Sequence, residues 1–107
     1  MKYSKDEDLR EFIKAWGVDS QIDLAIEECA ELIVALKHFK RERVECDDVF
    51  TEIADVVFMM EELALIFGPS TSKADIGIPS QCLLEDMIKF KRDRTFSRLK
   101  KTRELID

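Results

Sequence analysis

Residues 20–41, SQIDLAIEECAELIVALKHFKR, decide the fold. Ile22, Ala25, Ile26, Cys29, Leu32, Ile33, Leu36 and Phe39 recur at three-four spacing, the period of one helical face. Asp19 or Ser20 offers a cap in front, so a helix is expected from there to about Arg41. The same reading extends in both directions. Leu9, Phe12, Ile13 and Trp16 mark a short first helix that Gly17 ends. Residues 42–46 form a charged connector, and Asp47 and Asp48 suit the start of a third helix that Gly68 and Pro69 stop after Phe67.

A long loop is expected over residues 68–79, which hold both prolines and two of the three glycines. A fourth helix follows, capped by Ser80 and carrying Leu83, Leu84, Met87, Ile88 and Phe90. No strand pattern, repeat or low-complexity tract interrupts this order. The expectation is one all-α domain over residues 1–107, four-helix bundle-like, with apolar faces wide enough to suggest a dimer or tetramer.

Composition agrees. The 107 residues are 46% hydrophobic and 37% charged, too apolar for a disordered chain. Three widely spaced cysteines and one histidine suit reduced thiols better than a zinc site. The amino terminus lacks an apolar signal core, and acids break the apolar run 53–67, so a cytoplasmic protein without a membrane span is expected. The net charge of −6 is unevenly divided: −11 over residues 1–88 and +5 over residues 89–107. Overall, that balance argues against long nucleic acid.

Five acids do not fit a simple amphipathic scheme. Glu28 and Glu31 share one helix face, as do Glu52 and Asp55, and Glu27 adjoins the first pair. The helix holding Glu52 and Asp55 is apolar nearly all round, and ionised carboxylates in such surroundings need cations or protons. If the two helices pack antiparallel, four carboxylates can meet. An all-oxygen set of that kind suits a hard cation, Mg²⁺ or Mn²⁺.

Glu27-Glu28-Cys29-Ala30-Glu31, twenty residues, then Glu52-Ile53-Ala54-Asp55 resembles the EExxE…ExxD signature of the MazG-like nucleotide pyrophosphohydrolases, members of the all-α NTP pyrophosphatase superfamily. The resemblance spans residues from about 20 to 98. It implies Mg²⁺-dependent cleavage of a nucleoside triphosphate between the α and β phosphates, giving a nucleoside monophosphate and pyrophosphate, in nucleotide-pool house-cleaning. By motif position Glu28, Glu31, Glu52 and Asp55 would hold metal, and Glu27 or Glu28 would orient the attacking water. Lys89, Asp93 and Arg94 resemble a downstream substrate-binding pattern, with Asp93 where many relatives carry Asn. Lys91, Arg92 and Arg98 are alternates, and Trp16 is a candidate for stacking on the base. Homodimers or homotetramers are the family's usual assemblies. The rival expectation is a non-catalytic nucleic-acid-binding or scaffold module that uses the basic C-terminal helix.

Overall fold

The computed structural model describes residues 3–69 and 82–106. They form four α-helices and no strand: α1 Asp6–Trp16, α2 Val18–Lys40, α3 Cys46–Phe67 and α4 Leu84–Ile106. Most of the expected 68–79 loop, and the Ser80 cap, lie outside the described residues. Among those described, no helix is long and apolar enough to cross a membrane.

Gly17 does the work of two helix ends. Its N–H donates to the Ile13 carbonyl at 2.7 Å, closing α1, and its carbonyl accepts from Gln21 N–H at 3.1 Å, opening α2. The backbone there has φ 91° and ψ 152°, which a residue with a Cβ rarely adopts. In consequence α2 starts at Val18, ahead of the expected Asp19 or Ser20 cap, and Asp19 sits in the first turn where its charge opposes the helix dipole.

The turn from α2 to α3 is short. Arg41 and Arg43 N–H groups return to the His38 carbonyl, and Glu42 N–H returns to Phe39. Glu42 takes a left-handed φ of 57°, at a cost of about 1–2 kcal/mol for a residue with a Cβ. The third helix begins at Cys46, inside the expected connector, because the Asp48 carboxylate accepts from Glu45 N–H at 2.8 Å. At its far end a Cβ on Gly68 would run into the Ala64 carbonyl.

Helices α2 and α3 form the main packed pair, and α1 leans on both. Leu9, Ala25, Met59, Leu65 and Ile66 are the buried apolar residues, and Phe12 meets Phe58 with ring centroids 6.0 Å apart. Two polar side chains are buried with them. The Gln21 amide, its nitrogen turned inward, donates to the Glu62 carboxylate, 3.1 Å from Oε1. Burial pushes the Glu62 carboxyl above the usual carboxylate range. On the outer side of α3, Glu61 accepts from Tyr3 N–H at 2.7 Å and from Ser4 N–H and Oγ–H at 3.0 Å each, tying the amino-terminal segment down.

Much of the apolar surface stays open. The predicted α2 stripe is covered only in part: Ala25 is buried, Ile22, Cys29 and Leu32 are half-buried, and Ile26, Ile33, Leu36 and Phe39 are exposed. Helix α3, apolar nearly all round, is likewise not covered on every side within one chain, since Phe50, Ile53, Met60 and Phe67 are exposed. Helix α4 buries none of its side chains. The packed body is therefore three helices, with the fourth standing apart. A radius of gyration of 17.3 Å fits that picture, against about 13 Å for a compact domain of this length.

Candidate metal centre

Packing α2 against α3 brings three of the predicted ligands together. Glu28, Glu31 and Glu52 each offer a carboxylate oxygen, and these atoms lie within 4.8 Å of one another. Glu28 and Glu52 are half-buried and Glu31 is exposed, so the cluster opens to solvent on one side. Around an octahedral Mg²⁺ neighbouring ligand oxygens stand about 3.0 Å apart and opposite ones about 4.2 Å, so the three carboxylates would have to draw together to share one ion.

Acidic groups gather on many protein surfaces without an ion. The distinguishing detail here is at the atoms. Glu28 Oε2 and Glu52 Oε2 are each removed from solvent and have no hydrogen-bond partner. Acceptor oxygens removed from solvent are normally satisfied by a donor. Burial, then the charges of Glu31 and Asp55, a side-chain hydrogen bond with Glu31 and the charge of Glu52 hold the Glu28 carboxyl above the usual range. Glu52 is raised in the same way, by burial first, then by the charges of Glu31 and Asp55 and a side-chain hydrogen bond with Glu31. The donor set, all oxygen and rich in negative charge, fits a hard divalent cation.

The remaining predicted residues lie at varying distances from this centre. Asp55 is exposed and is not among the three that converge, although its charge reaches both Glu28 and Glu52. Glu27 is exposed and lines a separate surface hollow with Trp16, Asp19, Ser20 and Leu24. Trp16, 62% exposed, stacks on Phe12 with centroids 5.9 Å apart, within α1. On α4, Lys89 Nζ pairs with Asp93 at 3.4 Å, and the Arg94 guanidinium lies over the Phe90 ring, 5.9 Å from its centroid. These cations meet their own helix, not the acid cluster.

The sequence reading gives Asp48 a place at the start of α3 and gives neither it nor His38 a role at the site. The structure places both on a groove that begins at the cluster, with Glu31 and Glu52 in its wall. Spacing could have found His38, because it follows Glu31 by seven residues, two helical turns along the same face. Comparison with family models, with curated proteins and with solved structures finds no match to this chain.

Proposed function

We propose that this chain is a divalent-metal-dependent nucleotide pyrophosphohydrolase of the MazG-like kind, splitting a (d)NTP between the α and β phosphates. One observation carries the reading: two buried carboxylate oxygens without partners, on Glu28 and Glu52, facing a third acid on the paired helix hairpin. Glu28, Glu31 and Glu52 would hold Mg²⁺ or Mn²⁺, with Asp55 adding its charge and reaching in by a side-chain rotation. Bound there, the cation supplies charge neutralisation for the phosphates and a more acidic water. The chain's own part is to fix that water and take its proton. Glu28 or the adjacent Glu27 would orient that water and take its proton.

Cations for the triphosphate come from Lys89 and Arg94. Since α4 buries nothing against its own body, a second copy offers it a surface. The accessible area is 8752 Å², against about 6,200 Å² for a compact monomer of 12.5 kDa. That excess is on the scale of a large obligate interface, and the exposed stripes of α2 and α3 supply the apolar area for one. We therefore read the active form as a homodimer or homotetramer in the cytoplasm, clearing nucleotides from the pool. The test is pyrophosphate release from a panel of NTPs and dNTPs with Mg²⁺. Release of orthophosphate instead, or activity that survives Glu52→Gln, overturns the reading.

The exposed basic α4 also supports a second reading, a non-catalytic nucleic-acid-binding or scaffold module. Metal-independent, strongly salt-dependent binding of DNA or RNA would favour it.

A further inference from the structure

The acid cluster does not stand alone: a groove runs away from it between the end of α2 and the start of α3. It is shallow and widely open to solvent, with a volume of about 450 Å³. Glu31 and Glu52 form its near end, Val34 and Val44 stand in its walls, and His38 and Asp48 are its polar residues beyond the cluster. At ~1.5 Å per helical residue, His38 lies ~10 Å along α2 from Glu31, and Asp48 ~6 Å along α3 from Glu52. A sugar and a base cover that kind of span beyond an α-phosphate.

We infer that this groove holds the nucleoside part of the substrate and that Asp48 selects bases bearing an exocyclic amino group. The inference rests on the cluster being the metal-triphosphate site proposed above. Asp48 is held in place because one oxygen, Oδ2, accepts from Glu45 N–H at 2.8 Å. Asp48 also lines the groove, and an ionised carboxylate only accepts. Cytosine and adenine present an amino N–H there; uracil and hypoxanthine present a carbonyl, which a carboxylate repels. Val34 and Val44 give the flat base an apolar wall, and half-buried His38 edges the far end. The hollow beside Trp16 is the competing place for a base, but it contains none of Glu28, Glu31 and Glu52.

The experiment compares matched pairs, dCTP with dUTP and ATP with ITP. Calorimetry measures binding of their α,β-methylene analogues with Mg²⁺, and steady-state kinetics measures cleavage of the parent nucleotides. The wild type is expected to favour the amino member roughly tenfold, the worth of one charge-assisted hydrogen bond. Asp48→Asn keeps an oxygen for Glu45 N–H and turns an amide donor toward the base, so it should erase or reverse the preference. Val34→Trp, at a position 51% exposed and outside the core, should weaken both members of each pair about tenfold by filling the groove. Circular dichroism checks that both variants keep the helices. Discriminating binding without cleavage supports the groove and overturns the enzymatic reading. Cleavage without discrimination, or a preference that Asp48→Asn leaves intact while Trp16→Ala removes it, overturns the groove and spares the reading. Neither binding nor cleavage overturns both.

Discussion

The α2–α3 hairpin and α4 treat their charges in opposite ways. The hairpin packs its carboxylates close together, strips water from two oxygens and leaves them without donors. Helix α4 keeps every side chain exposed and settles its charges locally, Lys89 on Asp93 and Arg94 over Phe90. An exposed pair of that sort contributes little, about 0.3–0.5 kcal/mol at i,i+4 spacing. On α4, Lys89 and Arg94 thus have partners on their own helix, whereas the two hairpin oxygens have none. A missing partner is written into one region and merely permitted by the other.

The contrast is most exposed to test at Glu52. Replacing it with Gln removes one of the convergent charges while keeping shape, and pyrophosphate release should fall roughly 10³-fold, about 4 kcal/mol of transition-state stabilisation. Retained activity would mean that the buried oxygens are a structural accident. The next effect belongs to α4. Chains carrying Glu52→Gln, and chains carrying Lys89→Ala with Arg94→Ala, should each be severely impaired when assayed alone. If α4 serves the cluster of a second copy, mixing the two after dissociation should restore up to about a quarter of wild-type activity, because half the dimers are mixed and half their sites intact. No recovery on mixing would place α4 over its own chain's cluster.

Metal and proton give smaller effects on the same comparison. Mg²⁺ at a hundred times its dissociation constant should raise the melting temperature by about 10 °C or more. Glu52→Gln should remove most of that rise, and the α4 substitutions should leave it unchanged. Without metal, the raised carboxyls of Glu28, Glu52 and Glu62 set the pH trend. A folded-state value above the unfolded one means that the fold holds the proton more tightly. Stability is therefore greatest below the unfolded pKa and is lost as pH rises through the folded value. Melting curves from pH 4 to 8 should decline in that direction, and saturating Mg²⁺ should flatten the decline. Smallest and outside both regions, Gly17→Ala should cost about 1–3 kcal/mol by forcing a Cβ into φ 91°.

The order of the helices and the ends of α1 and α3 were readable from the chain, because Gly17, Gly68 and Pro69 act through local backbone chemistry. The meeting of acids was readable only on the condition that α2 and α3 pack antiparallel, and of the four carboxylates then expected to meet the structure brings together Glu28, Glu31 and Glu52. The start of α3 was readable to within one residue, since Asp47 and Asp48 sit in its first turn as expected. The start of α2 was not: it depends on the dual role of Gly17, a backbone detail that residue type alone does not announce. Periodicity also placed Ile26, Ile33 and Phe39 on one face without saying what lies against it. Asp55 shows the same limit: its spacing from Glu52 fixes an angle around the helix, not whether the shorter side chain reaches the common point.

Gln21 and Glu62 bear on all of this from within the core. The apolar seam around them, built from Met59, Leu65, Ile66 and Ala25, is chemically uniform and would tolerate α2 sliding along α3. A slide of one turn, about 5.4 Å, would carry Glu28 and Glu31 past Glu52 and dissolve the cluster. Such a slide would part the buried Gln21 amide from the Glu62 carboxylate, at the cost of a hydrogen bond in apolar surroundings. The pair works as an alignment pin for a site more than a helical turn away, and its worth is measured in positional accuracy more than in stability.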